Sequence, residues 1–140
     1  MTPNALNSTY WGRLVVILSV LLFFFALPHT LEDFATGEPA RQGAPVFVLA
    51  YVIAGMFALQ GLGLFWIGRQ MNRGYFVHVF LGLFWTIASG AAQLPTILSQ
   101  GITYRVGFIS LFYVGGMIVI GLLLLITSLL ELKTRLRTSE

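Results

Sequence analysis

The sequence predicts an all-α membrane protein, a compact antiparallel bundle of four transmembrane helices. Hydrophobic residues make up 57% of the 140 residues and charged residues only 9%, whereas globular domains usually carry about 25% charged residues. Charged and Pro/Gly-rich breaks divide the chain into four apolar runs, at 11–28, 46–67, 75–98 and 106–130. Each run approaches or exceeds the roughly 20 residues that a spanning helix needs. The short linkers predict a single domain over 1–140.

The third run, Tyr75 to Leu98, carries a polar stripe along one side. Its six least apolar side chains fall within an arc of roughly 100° when successive residues are placed 100° apart. They are His78, Trp85, Thr86, Ser89, Gln93 and Thr96. In hydrocarbon such a stripe must face partners, because an unpaired polar group there costs several kcal/mol. The fourth run has a matching small and polar face, so we expect these two helices to form the core.

The first run is expected to end or kink near Pro28, and an outer loop follows over 29–45. His29, Glu32 and Asp33 in this loop are three and four residues apart, which makes them neighbours on a short interfacial helix. An imidazole and two carboxylates together can bind a divalent metal or perform acid/base chemistry. The alternative is a solvated acidic connection, which we favour, and we predict no metal site.

The second run carries Ala50, Ala54 and Ala58, a row of small residues that suits close helix contact. Gln60 is its one strongly polar residue, and its expected depth pairs it with Trp85. A basic turn over 68–74 leads to the third run, and a basic tail over 131–140 follows the fourth.

The basic residues are spread along the chain and do not form a nucleic-acid-binding patch. Their distribution predicts topology by the positive-inside rule. One side of the four-helix arrangement has only Arg41 and Arg105, and the other has six basic residues: Arg13, Arg69, Arg73, Lys133, Arg135 and Arg137. We therefore place both termini in the cytoplasm, and the protein in a bacterial-type or organellar inner membrane or a plasma membrane.

Two absences in the sequence exclude or disfavour several activities. The chain contains no cysteine, which excludes disulfide exchange, thiolate metal sites and iron–sulfur clusters as its own chemistry. No Asp, Glu, Lys or Arg lies well inside the four runs. Ion-coupled transport is therefore disfavoured, because it normally uses an ionisable group within the membrane.

Polar groups converge in depth near the outer ends of the third and fourth helices. They predict a cleft that is open to the outer leaflet or the outer aqueous side. The predicted ligand-binding residues are Trp85, Ser89, Gln93, Thr96, Ser110 and Tyr113. The residues expected at the mouth of the cleft are His29, Glu32, Asp33, Thr96, Tyr104 and Arg105. The alternative is a bundle interior with scattered, satisfied polar groups.

His78 is a histidine within a helix, the usual position of an axial haem ligand. It lies near the cytoplasmic boundary and His29 lies outside, so the two cannot hold one haem within a protomer. Haem or chlorin bound by His78 alone is one hypothesis. A histidine that is hydrogen-bonded within the bundle, or that reaches the interface, is the ordinary interpretation.

The four-helix layout, with His29, Glu32 and Asp33 near one membrane face, is similar to that of the sterol-isomerase-like emopamil-binding proteins. It departs from them because those proteins place acids within their helices, so we do not assign the chain to that family. Its small size is also similar to that of many accessory subunits of respiratory or photosynthetic complexes.

Three functions follow as hypotheses. The leading one is a non-enzymatic membrane protein, either an accessory or assembly subunit or a binder of an apolar molecule such as a lipid, quinone or carotenoid. The second is a membrane-embedded enzyme that uses His29 as acid or base with Glu32 or Asp33, and the third is pigment or haem binding at His78. The expected partners are membrane lipid or an apolar small molecule, other membrane subunits or a second copy, and no nucleic acid. The sequence identifies no cofactor.

Overall fold

The computed structural model describes residues 10–137, and all regular structure within that range is helical. The elements in order are α1 (Tyr10–Ala35), α2 (Glu38–Arg41), α3 (Val46–Gly68), α4 (Asn72–Gln100), a 3-10 helix (Gly101–Thr103) and α5 (Phe108–Arg137). We call the end of the bundle with α2 and the 3-10 helix the loop end. The opposite end, with the α3–α4 turn, Tyr10 and Arg137, is the terminal end.

The four long helices α1, α3, α4 and α5 are each long and apolar enough to cross a membrane. Large hydrophobic side chains cover the outside of the bundle, with Phe47 82% exposed, Phe108 76% and Phe24 72%. An apolar surface of this extent is unfavourable in water and is suited to hydrocarbon. The predicted all-α arrangement of four helices able to span a membrane is confirmed.

α4 and α5 form the centre of the bundle. α4 packs most extensively against α5 and also against α3, while α1 packs mainly against α5. α4 and α5 cross closely at Gly82 of α4, where an added Cβ would lie 2.7 Å from the carbonyl oxygen of Gly121 on α5. Glycine at both positions therefore lets the two backbones touch. This agrees with the expectation that the third and fourth predicted helices form the core.

α1 ends at Ala35, beyond the end near Pro28 that the sequence predicts. The predicted outer loop over 29–45 begins only after Ala35, because α1 continues through Pro28. A proline removes one N–H donor from a helix, but the turns beyond it have other contacts. The Thr30 hydroxyl donates to the carbonyl oxygen of Ala26 at 2.7 Å, and Glu32 accepts from Ser110 of α5.

At the terminal end, the helices extend into the segments that were predicted to be a basic turn and a basic tail. α4 begins at Asn72, and α5 continues to Arg137; residues 138–140 of the predicted tail lie outside the described range. Arg135 donates to Glu131, which is fully buried, at 2.6 Å and to Gln70 of the α3–α4 turn at 2.9 Å. Acids thus do lie within the long helices, at Glu131 and in the last turns of α1. The four runs predicted from the sequence still contain no acid well inside them, because Glu32 and Asp33 follow the first run and Glu131 follows the fourth.

α3 is attached to the bundle mainly through its half nearest the terminal end. Its buried residues are Gln60, Gly63 and Ile67, whereas the predicted contact row of Ala50, Ala54 and Ala58 is exposed. The close approach occurs instead at Gly63, where an added Cβ would lie 2.7 Å from Cε1 of His78. The half of α3 nearest the loop end consequently leaves space beside α1 and α4.

Candidate functional site

A cavity of about 250 Å³ occupies this space at the loop end. α1 and α4 form most of its wall, α3 contributes Leu49 and Ile53, α5 contributes Met117, and α2 with the loop after it covers the end. The lining residues are His29, Thr30, Asp33, Phe34, Glu38, Pro39, Gln42, Ala44, Leu49, Ile53, Phe84, Trp85, Ala88, Ser89, Ala92, Gln93 and Met117. The cavity therefore has largely apolar walls and a polar end.

The helical spacing of α1 and α4 positions the polar groups. His29 and Asp33 are four residues apart on α1, and Trp85, Ser89 and Gln93 are four residues apart on α4, so each set lies along one face of its helix. Nε2 of His29 lies 3.6 Å from Oδ2 of Asp33. The continuation of α1 past Pro28 is what brings these α1 side chains to the α4 stripe.

A charged network closes the polar end of the cavity. The Arg105 guanidinium forms an ion pair with Asp33 of α1 and donates to Oε1 of Gln93 on α4 at 2.9 Å. The Tyr104 hydroxyl donates to the same Oε1 at 2.5 Å. Gln93 thus lies at the junction of three chain segments, and a polar residue is required there.

The backbone and burial of the segment between α4 and α5 fit this role. Arg105 has a φ of +48°, in the left-handed region that is uncommon for residues other than glycine, and such conformations cluster at functional sites. Burial, with the nearby charges of Glu38 and Glu32, raises the pKa of Tyr104. The Tyr104 hydroxyl therefore stays protonated and remains a donor to Gln93.

Glu32 and Ser110 form a second link between α1 and α5. The Ser110 hydroxyl donates to Oε1 of Glu32 and accepts from the backbone N–H of Val106 at 3.1 Å. Glu32 therefore contacts α5, while Asp33 is the acid beside His29. Among residues 10–137, no group of three histidines, cysteines or acids is placed to hold a metal ion.

Two residues that line the cavity each carry a buried polar side-chain atom with no hydrogen-bond partner within the described part of the chain. The atoms are Nδ1 of His29 and Nε1 of Trp85, and the two residues are only 3% exposed each. Most buried polar side-chain atoms in proteins have a partner. These two atoms are therefore the points at which the cavity could recognise a polar group.

The structure separates the six predicted ligand-binding residues. Trp85, Ser89 and Gln93 line the cavity, together with the predicted mouth residues His29 and Asp33. Thr96 lines a neighbouring depression with Tyr104 and Arg105, and Ser110 lies in the link to Glu32. Tyr113 is outside the cavity wall and packs its ring edge-on to Phe25, with centroids 6.4 Å apart.

His78 lies in a different polar cluster, nearer the terminal end. Its Nδ1 is 2.7 Å from the Gly74 carbonyl oxygen and its Nε2 is 2.9 Å from the Ser19 hydroxyl. A carbonyl only accepts, so Nδ1 carries the proton and Nε2 accepts from Ser19. Ligation of a haem or chlorin by His78 would require one of these bonds to be broken.

Ser19 is the residue that the sequence analysis missed. Gln60 donates to its hydroxyl at 3.0 Å and to its carbonyl oxygen at 2.6 Å, so the expected bond between Gln60 and Trp85 is wrong. Ser19 is the one polar residue among the apolar residues 14–27, and that isolation was the available signal. It links α1 to both α3 and α4.

No protein-family model, curated protein or solved structure matches the chain.

Proposed function

We propose that the protein binds an apolar molecule of the bilayer, such as a lipid, quinone or carotenoid, with one end of that molecule held in the cavity at the loop end. The observation that carries this proposal is the form of the cavity: apolar walls from four long helices that lead to a polar end. Ligand sites in proteins commonly combine hydrophobic walls with a few polar groups, and many lie between the helices of bundles.

The volume indicates how much of a ligand is enclosed. A cavity of about 250 Å³ is larger than the roughly 150 Å³ that accommodates benzene and smaller than the roughly 300–1,000 Å³ typical of drug-sized ligands. It holds a head or a ring, and not a whole long-chain molecule. The remaining chain would lie in the bilayer along the exposed half of α3.

Filling the cavity is expected to remove the bound molecule. In Ala88→Phe the new ring replaces the small side chain of a lining residue, and we expect loss of most of a co-purifying small molecule. Ala91→Phe is the matched control, because Ala91 is on the same helix, exposed and not part of the cavity wall. Native mass spectrometry of protein extracted in mild detergent, with a visible spectrum of the same sample, measures the bound molecule.

The same spectra distinguish the other hypotheses. A wild-type protein with no bound molecule, or one that both variants retain equally, would contradict the proposal. A second polypeptide in the spectrum would support an assembly subunit, and an absorbing cofactor would direct attention to His78. The enzyme hypothesis rests on His29 beside Asp33 at the cavity wall. It predicts a chemically altered bound molecule in the wild type that is unaltered in His29→Ala.

We also propose that the terminal end faces the cytoplasm, on the support of the positive-inside distribution. Because the chain has no cysteine, single introduced cysteines report each side cleanly. In intact cells, a membrane-impermeant maleimide is expected to label Ser99→Cys, which is exposed at the loop end. Asn72→Cys, exposed at the terminal end, is expected to react only after permeabilisation. The reverse pattern would invert the topology.

A further inference from the structure

The unpaired atoms of two cavity-lining residues indicate the chemistry of a ligand head, if the cavity binds a ligand as proposed above. Nε1 of Trp85 and Nδ1 of His29 are buried and have no partner among residues 10–137. Each side chain is on the wall of the same cavity. A ligand that satisfies both atoms is favoured over one that leaves either atom buried and unpaired.

The two atoms have opposite hydrogen-bonding roles. An indole nitrogen only donates, so Trp85 requires an acceptor on the ligand. The other ring nitrogen of His29, Nε2, lies 3.6 Å from the Asp33 carboxylate, and the negative charge of this carboxylate favours the tautomer with its proton on Nε2. Nδ1 of His29 then holds a lone pair and requires a donor on the ligand.

The depths of the two residues fix the order of these groups along the ligand. Gln93 of α4 and Asp33 of α1 are level, because Gln93 Nε2 lies 3.5 Å from Asp33 Oδ2. Counting at 1.5 Å per residue, His29 is about 6 Å and Trp85 about 12 Å from that level towards the membrane centre. The ligand's donor is therefore nearer the loop end, and its acceptor lies roughly one helical turn deeper.

The charges around the cavity favour an uncharged head. The lining residues include the carboxylates of Asp33 and Glu38 and no lysine or arginine. Arg105 is already paired with Asp33 and bonded to Gln93, and Glu38 is paired with Arg41 at 2.7 Å. A carboxylate or phosphate head would find no free cation in the cavity wall. An ammonium head would leave Trp85 unpaired, because it has no acceptor.

We infer that the cavity selects a neutral acyl lipid whose head carries a hydroxyl, with the chemistry of a monoacylglycerol. The hydroxyl donates to Nδ1 of His29 near the loop end, and the acyl carbonyl accepts from Nε1 of Trp85 one turn deeper. The acyl chain continues into the bilayer. This order matches the way such a lipid lies in a leaflet, with its hydroxyls at the interface and its carbonyl below them.

The inference is tested with ligands that share one acyl length and differ only in the head. Wild-type protein in nanodiscs is titrated with monopalmitoylglycerol, methyl palmitate and hexadecane, with palmitate at pH 8 as the charged comparison. One hydrogen bond is worth about fivefold in affinity. We therefore expect methyl palmitate to bind about fivefold more tightly than hexadecane, and monopalmitoylglycerol about fivefold more tightly again. Palmitate is expected to bind more weakly than its methyl ester.

Two variants assign the preferences to individual atoms. Trp85→Phe keeps an aromatic ring without the N–H, and is expected to abolish the preference for methyl palmitate over hexadecane. His29→Leu keeps bulk without the ring nitrogen, and is expected to abolish the preference for monopalmitoylglycerol over methyl palmitate. Each variant should leave the other preference unchanged, a selectivity that general destabilisation would not produce.

The outcomes separate this inference from the function on which it rests. If wild-type protein binds all three neutral ligands with equal affinity, the head-group inference is overturned and the apolar binding site stands. If palmitate binds best, the neutral head is likewise overturned. If no ligand of the series binds above the background of the nanodisc lipid, the acyl-lipid inference is overturned. The co-purification test with Ala88→Phe then decides separately whether the cavity binds another apolar molecule.

Discussion

Arg105→Ala is expected to lower the free energy of unfolding by about 3 kcal/mol, because it leaves the Asp33 carboxylate without its cation in a largely buried site. The Arg105 side chain is only 6% exposed and that of Asp33 21%. Removing one member of a buried ion pair typically costs about 3–5 kcal/mol, and the partial exposure of Asp33 favours the lower value. Gln93 also loses a donor to its side-chain oxygen.

Denaturant unfolding in mixed micelles, followed by tryptophan fluorescence, measures this loss. The matched control is Arg41→Ala, in which the arginine side chain is 63% exposed and pairs with Glu38 three residues away. Exposed pairs of this kind contribute up to about 1 kcal/mol. Equal effects of Arg105→Ala and Arg41→Ala would show that the pair with Asp33 is solvated and does not hold α1 to the loop end.

Arg105→Lys and the double variant Asp33→Ala/Arg105→Ala resolve the origin of the effect. A lysine ammonium lacks the planar fork with which arginine contacts Asp33 and Gln93 together, so an intermediate loss is expected. The double variant removes both charges and should be less destabilised than the sum of the two single variants. Strict additivity would show that the two side chains are not coupled.

The helical architecture could be predicted because it depends on composition and on one periodic pattern. Residues of the α4 stripe occupy the positions the pattern requires, with Trp85, Ser89 and Gln93 buried on one side. A polar stripe within hydrocarbon must face protein, so the pattern in the sequence predicts a contact between helices. Three of the predicted ligand-binding residues therefore lie on the cavity wall.

The remainder of the site depends on contacts between segments far apart in the sequence. A local rule ends α1 near Pro28, whereas Glu32 and Asp33 hold the helix beyond it through Ser110 and Arg105, which are 78 and 72 residues away. The junction at Gln93 likewise depends on the unusual backbone of Arg105. Neither contact produces a periodic pattern in the sequence. The sequence therefore indicated which residues lie at the mouth of the cleft, and not which of them bond to one another.

Tyr113 and Ser19 both show that the sequence alone does not determine which residues meet between helices. Tyr113 has a polar hydroxyl at a suitable depth, but its ring packs beside Phe25 of α1 and does not line the cavity. Ser19 is the one polar residue in an apolar run, and a single residue cannot form a periodic pattern. It is nevertheless fully buried and bonded to two other helices. Single polar residues in a membrane helix can be assigned only once the neighbouring helix is known.

The close contact between α4 and α5 at Gly82 gives the second large expected effect. Gly82→Ala would place its Cβ 2.7 Å from both the Gly121 carbonyl oxygen and the Leu125 backbone nitrogen. Backbone atoms cannot move aside as a flexible side chain can, so α4 and α5 must separate. We expect a loss of about 2–3 kcal/mol in the free energy of unfolding, as for an overpacked core. Gly82→Leu is expected to prevent recovery of folded protein.

Gly61→Ala is the control, because an added Cβ at Gly61 on α3 meets nothing within 4 Å. Without a clash, replacing a helical glycine by alanine usually stabilises by about 0.5–1 kcal/mol, so the two substitutions should have opposite signs. Gly121→Ala should fall between them, since its shortest contact, at 2.6 Å, is with the Thr86 side-chain hydroxyl, and its backbone contacts, at 3.2 and 3.3 Å, are longer than those of Gly82. If Gly82→Ala and Gly61→Ala stabilised the protein equally, the α4–α5 crossing would have to be wider than the structure shows, and the polar stripe of α4 would need another partner.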